Sequence, residues 1–315
     1  MTEILRYAAF TDDPRGGNPA GVVLDASKLS DAEMLAIAAD LGYSESAFLT
    51  GPAPSPTSAS PDKSGKPEMS GGRADAEPAG VPAPGAAAAV PAPGAAAAPR
   101  RVRYFSPLAE VPFCGHATVA AAVALGPGEH VFVTNSGEVP VTVDDHGRAT
   151  LTSVAASVGD LGGDRLTALL AALRWSEFDL DDTLPPRVAY AGAYHPVIAA
   201  ASRKRLAELD YDVPALKALM EAHDWTTVQL VFRTGDDSFD VRNPFPVGGV
   251  YEDPATGAAA AAFGAYLRDL WLVEDDAVIH LAQGDDLGRP SRITVRLTPG
   301  EPGVRVTGTA VPITA

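Results

Sequence analysis

The chain has 315 residues, 46% hydrophobic and 20% charged, a composition normal for a soluble globular protein and a length that suits two domains. A formal net charge of −16 argues against nucleic acid or anionic membrane as a partner, since both need a surplus of Lys and Arg. With Cys114 as its one cysteine, the chain can form no intramolecular disulfide and no cysteine-based zinc site.

The N-terminal residues, Met1-Thr-Glu-Ile-Leu-Arg-Tyr7, have neither the basic start nor the apolar run of a signal peptide. No stretch reaches the ~18 apolar residues of a membrane span, so a cytoplasmic location is expected. Ile4–Phe10 and Ala20–Leu24 read as strands on either side of the turn-rich Asp12–Asn18. Ser30-Asp-Ala-Glu33 is a capping box, and Met34, Ile37, Ala38 and Leu41 continue it as an amphipathic helix. Strands are predicted at Ser46–Thr50 and Arg101–Ser106. Between them, residues 52–99 are dominated by Pro, Ala, Gly and Ser, and Val81–Ala89 recurs letter for letter at Val90–Ala98. Such a segment cannot bury enough apolar surface to offset its conformational entropy, and it reads as a disordered insertion. Loop-closure entropy grows slowly with length, so the insertion is tolerated.

Short strands follow at His130–Thr134, Val139–Val143 and Ala149–Thr152, then at Arg187–Ala191 and Val197–Ala200. A helix is predicted over Asp212–His223, with Asp212 as N-cap and Pro214 in its first turn. Val228–Phe232, a helix after Gly257, and strands near Ala277–Leu281, Ile293–Leu297 and Val304–Gly308 complete the chain. Many short strands with one long helix per half predict two similar α+β domains.

One element occurs twice. Glu110-Val-Pro-Phe-Cys-Gly115 and Glu252-Asp-Pro-Ala-Thr-Gly257 share the pattern E-x-P-x-x-G, each leads into an alanine-rich helix, and each follows a Val-Arg pair. The spacing is too long for a solenoid and points to two related halves. Pro and Gly just ahead of a helix leave its first N–H groups free, which makes an anion site. Two such helix starts facing each other would form a pocket able to hold an anionic small molecule against the global field.

Three acid–base candidates lie near these features. Glu45 stands just past a helix at the start of a strand; desolvated, it could shuttle protons, although a solvated glutamate is the commoner case. His116, at a helix N-terminus, is favoured in its neutral form and could exchange protons with a substrate, with a capping or packed histidine equally open. Asp253 precedes Pro254, and an ordinary turn carboxylate is its simplest role. Cys114 aligns with Thr256 in the repeat, which excludes a paired-thiol racemase and leaves Cys114 as a small buried residue. No dinucleotide fingerprint, P-loop, zinc motif or nucleophile elbow is present in a credible context.

Taken together, Gly17-Asn-Pro-Ala-Gly-Val-Val23, Ser44-Glu-Ser46, Val111–Thr118, Glu252–Gly257 and Gln283-Gly…Gly288-Arg-Pro-Ser291 resemble the PhzF family of phenazine-biosynthesis isomerases. The motifs stand in family order across nearly the whole chain outside 52–99; residues 155–230 match only loosely. The resemblance implies a diaminopimelate epimerase-like fold: two pseudo-symmetric α+β domains, each a curved, mostly antiparallel sheet around a central helix. The boundaries read as 1–126 and 127–315, with the last strand returning to the first domain. It also implies a cofactor-free isomerase, without metal, that moves a proton between carbons of a cyclic dihydro-hydroxyanthranilate. The family's catalytic residues fall on Glu45, His116 and Asp253, which makes catalysis the better reading of Glu45. Asn18, Gly115, Ala117, Gly257 and Ala258 would bind substrate, and a homodimer is expected by analogy. The family often has serine where this chain has Ala258, so the substrate can differ. Two other readings stand beside this one: an amino-acid racemase or epimerase using a mixed pair such as Glu45 and His116, and a non-catalytic binding protein.

Overall fold

The computed structural model describes residues 2–52 and 98–314; the reading of the Ala/Pro-rich insertion falls outside them for residues 53–97. The chain begins β1 (Leu5–Ala9), β2 (Asn18–Val23), α1 (Asp31–Leu41), β3 (Glu45–Pro52), β4 (Arg100–Phe105), β5 (Glu110–Val111) and α2 (Gly115–Leu125). It continues through β6 (Gly128–Thr134), β7 (Gly137–Val143), β8 (Arg148–Thr152), β9 (Ser157–Asp160), α3 (Gly163–Leu173), β10 (Arg187–Tyr190), β11 (Tyr194–Ala199) and α4 (Arg203–Ala207). It ends with α5 (Val213–His223), β12 (Gln229–Arg233), β13 (Ser238–Pro244), β14 (Glu252–Asp253), α6 (Gly257–Asp269), β15 (Val278–Gln283), β16 (Ser291–Arg296) and β17 (Arg305–Pro312).

Sheet order follows from the connections. β1–β2 are antiparallel, β2–β3 parallel across α1, β3–β4 antiparallel, β4–β6 parallel across α2, and β6–β7 antiparallel. The same order returns in β10–β11, β11–β12, β12–β13, β13–β15 and β15–β16, with α5 and α6 in the crossovers. A parallel step needs a connection of helix length, so the crossover helices account for the parallel pairs in a mixed sheet whose pairings are mostly antiparallel, as expected. For the same reason each run has two helices of 11 to 13 residues rather than one, with α3 as a further helix of 11. β17 pairs with β1, β8 and β16, so the C-terminal strand joins the N-terminal one.

Composition explains what sits inside. In α2 every residue from Gly115 to Ala122 is buried, and in α6 every residue from Ala259 to Leu267. Alanine keeps both helices thin enough for strands to close around them, and side chains of both belong to one hydrophobic core. α3 and α5 cover a second cluster on the other side of β11 and β12, and α1 a third with Met34, Phe48 and Phe105. Among the described residues no helix is long and apolar enough to cross a membrane.

The repeated sequence element is also a repeated contact. Arg103 donates to both oxygens of Glu110, at 2.8 and 2.6 Å, and Arg242 makes the same forked pair with Glu252. Phe105 opposes Glu110 in β4–β5 as Pro244 opposes Glu252 in β13–β14. Each hairpin then turns through Pro-x-x-Gly into its helix.

Candidate active site

The two alanine-rich helices meet at their starts: a Cβ built on Gly115 would touch the Gly257 Cα at 3.6 Å. Ser30, Asp212 and Ser202 cap α1, α5 and α4 through their side chains. The N-caps of α2 and α6, Cys114 and Thr256, make no such bond, so these two starts keep amides free for another acceptor. Ala258 is half-buried on the first turn of α6, where a methyl group replaces the imidazole that His116 places on α2.

Around these starts the expected side chains converge from distant parts of the sequence. Glu45 is the first residue of β3, delivered by the left-handed Gly42 that ends α1, and lies beside Ala20 of β2. His116 is the second residue of α2 and Asp253 the last of β14. Glu45, His116 and Asp253 are 8%, 3% and 4% exposed, so the cluster is enclosed. His116 Nε2 stands 3.6 Å from Glu45 Oε2. Asn18 joins the other two: its Nδ2 donates to Asp253 Oδ1 at 2.7 Å and lies 3.1 Å from His116 Nδ1 and from the Ala255 carbonyl. Asn18 is buried at the start of β2, within the cluster.

Supporting residues hold this arrangement. Gly17 has φ +64°, and a Cβ there would sit 2.4 Å from the Ala9 carbonyl oxygen, so only glycine fits the turn ahead of Asn18. Arg289 clamps that turn, donating to the Gly17 and Gly16 carbonyls at 2.8 and 2.7 Å. Gln283 donates to the Asp253 carbonyl at 2.7 Å and accepts from the Thr256 amide at 3.0 Å. Ser291 donates to the Pro254 carbonyl, which completes the fixing of the Glu252–Gly257 turn. The Gln283…Ser291 motif thus acts as scaffold, a role the sequence did not disclose.

Burial sets the charge states. Loss of water pushes the Glu45 carboxyl above its usual range, partly opposed by hydrogen bonds from Ser44 and Cys114. Asp253 is pushed up to about 8, first by burial and then by the Glu45 charge. Burial lowers His116 to about 3, so the imidazole is neutral at physiological pH. The Cys114 thiol is raised well above 9.0 by burial and by Glu45, which fits the small buried residue expected. Its Sγ nevertheless lies 3.6 Å from Glu45 Oε2 and 3.3 Å from His116 Nδ1, a contact no spacing in the sequence revealed. Ligand-type atoms of Glu45, Cys114 and His116 lie within 4.8 Å of one another, a set that could also take a cation.

The profile of the PhzC-PhzF family, phenazine biosynthesis-like protein, matches residues 7–62 and 89–315. An uncharacterized isomerase of Escherichia coli K12, YddE, is 31% identical over 98% of this chain and 95% of its own. A Pseudomonas fluorescens relative named trans-2,3-dihydro-3-hydroxyanthranilate isomerase is 28% identical over 90% of this chain and 86% of its own. The solved structure of a predicted epimerase from Pseudomonas aeruginosa shares the fold, with a TM-score of 0.75 at 24% identity over 100% of this chain and 98% of that one.

Proposed function

This chain belongs to the PhzC-PhzF family of phenazine biosynthesis-like proteins, and from that premise we propose a cofactor-free proton transfer with Glu45 as its acid–base group. The chain is an isomerase, which sets aside the non-catalytic reading. The substrate class is a small, cyclic, carboxylate-bearing metabolite. The observation that carries the proposal is the enclosed meeting of Glu45, His116 and Asp253 at two uncapped helix starts.

Glu45 takes a proton from a carbon next to a conjugated system and returns it to another carbon on the same face. Its desolvation raises its proton affinity above that of an ordinary carboxylate, which strengthens it as a base. The neutral His116 ring lies between Asn18 and Glu45, with Nδ1 3.1 Å from Asn18 Nδ2 and Nε2 3.6 Å from Glu45 Oε2, and steers protons to a substrate heteroatom. Asp253, protonated over most of the neutral range and bonded to Asn18 Nδ2 and Thr256 Oγ1, relays a proton toward a substrate heteroatom. The free amides after Gly115 and Gly257 hold the carboxylate or the negative charge that builds in the transition state. Preorganised donors of this kind are worth several kcal/mol.

The geometry weighs against the racemase reading with Glu45 and His116 as its pair. Two bases on opposite faces of one carbon, each within hydrogen-bond reach, must stand roughly 6 Å apart. Glu45 Oε2 and His116 Nε2 are 3.6 Å apart. Residues 1–126 and 127–315 form the two pseudo-symmetric halves in this reading, and they part to admit substrate. A cytoplasmic homodimer belongs to the same reading. The test is product analysis by proton NMR with cyclic dihydro-amino and dihydro-hydroxy carboxylates, the dihydro-hydroxyanthranilate among them. Movement of a double bond supports the isomerase; inversion of a stereocentre with the double bonds in place overturns it.

A further inference from the structure

Cys114 is a buried nucleophilic group that the proposed proton transfer leaves unused. It is the N-cap of α2, two residues before His116, and both side chains reach Glu45. Glu45 Oε2, Cys114 Sγ and His116 Nε2 form a triangle. Its edges are 3.6 Å from carboxylate to thiol, 3.6 Å from carboxylate to imidazole and 3.9 Å from thiol to imidazole.

Those lengths match a coordination shell. Bonds of about 2.3 Å to sulfur and about 2.0–2.2 Å to nitrogen or oxygen set the donors of a tetrahedral zinc roughly 3.3–3.6 Å apart. The observed edges lie at or just beyond that range, a gap that small side-chain rotations close. The single cysteine excludes a zinc site built from several thiolates, and the fold makes it one donor of a mixed set instead. Solvent reaches the triangle, since Glu45 and Cys114 each keep 8% exposure. The ion sits between its own donors, and water takes the fourth corner.

Charge and protonation fit as well. Thiolate and carboxylate together neutralise a divalent ion, so the buried complex carries no net charge. The thiol gives its proton to solvent as the metal binds, and the positive end of α2 favours a thiolate at its N-cap. Asn18 spends both Nδ2 hydrogens on Asp253 Oδ1 and the Ala255 carbonyl. It therefore does not fix the His116 tautomer, and the Nε2 lone pair is open to a metal. In the second copy of the repeat Thr256 and Ala258 replace Cys114 and His116, so that helix start offers no equivalent set. Among the described residues Glu45, Cys114 and His116 are the one such group of three.

We propose that Glu45, Cys114 and His116 bind one zinc ion, and that the ion is an inhibitor rather than a cofactor. Sulfur and imidazole donors select zinc over magnesium and calcium, which take oxygen ligands. The ion occupies the Glu45 carboxylate and so stops proton exchange with substrate. That inhibitory clause rests on the function proposed above; the binding does not.

Cobalt(II) and zinc chlorides test this on the full chain. Because Cys114 is the one cysteine, a sulfur-to-cobalt charge-transfer band reports on this site alone, with no variant needed. Wild type with its thiol reduced should develop the band up to one equivalent of cobalt and lose it when zinc is added. Calorimetry should show one zinc per chain, bound roughly a hundredfold or more weakly by folded Cys114→Ser, and no binding of magnesium chloride. No band in wild type, or equally tight zinc binding by Cys114→Ser, overturns the site. Undiminished deuterium uptake into substrate by the zinc-loaded protein overturns the inhibition. No uptake by the zinc-free protein counts against the proposed function instead, and the cobalt band still decides the site.

Discussion

Glu45, Asp253 and His116 carry opposite burdens on stability, and their signs can be worked out. The folded Asp253 holds its proton up to about pH 8, against an ordinary value of 3.8. Its contribution to stability is therefore complete below pH 3.8 and drains away as pH rises toward 8. Glu45 acts in the same direction. His116 is depressed from 6.5 to about 3, so its contribution is present above pH 6.5 and is lost as pH falls toward 3. The acid–base cluster thus weakens the fold on both sides, as expected where function is set against stability. Asp253→Asn should accordingly be more stable than wild type at pH 7 by roughly 2–4 kcal/mol, relative to the difference between the two proteins at pH 3.5. Urea unfolding at the two pH values measures this, and an equal offset at both would show that Asp253 is not held protonated.

The hairpin-plus-helix element appears twice with unequal burial, which predicts unequal costs of disruption. The Arg242 and Glu252 side chains are 8% and 0% exposed; Arg103 and Glu110 are 19% and 27%. Removing one partner of a buried pair leaves an unpaired charge, so Arg242→Ala should cost about 3–5 kcal/mol. Arg103→Ala, whose loss water can compensate, should cost about 1 kcal/mol. Denaturant midpoints of the two variants should separate in that order. These elements also show what a sequence can disclose. The Ser30–Glu33 box and the Asp212 cap are readable because each depends on contacts three residues apart, and the E-x-P-x-x-G element because its letters recur. α3 begins at Gly162 without a side-chain cap, so its leucines had no start signal. β13 ends in Asn243-Pro244, residues that argue against a strand, and only its pairing with β12, β14 and β15 makes it one. Asn18 against Asp253 spans 235 residues, and Gln283 against Thr256 spans 27. Such contacts leave no local trace.

For the molecule as a whole, the two alanine-rich helix starts meet at Gly115 and Gly257. Pro52 and Arg100 are paired at the open end of β3–β4, so the strands already define their own register. Replacing residues 53–97 by a four-residue turn should leave the melting temperature within a few degrees and activity unchanged. A large loss of either would give that stretch a part in the fold or the reaction. The β17–β1 pairing ties the chain's end to its beginning, so a truncation before Arg305 should unfold the N-terminal strands along with its own neighbours. The central claim remains that one buried glutamate moves the proton within this closed frame. Its most direct test is substrate turnover in heavy water by wild type and Glu45→Gln, with deuterium in recovered substrate and product read by mass spectrometry. The account predicts label from wild type and at least a hundredfold less from the variant, within the range general acid–base catalysis commands. Equal uptake by the two proteins would contradict it.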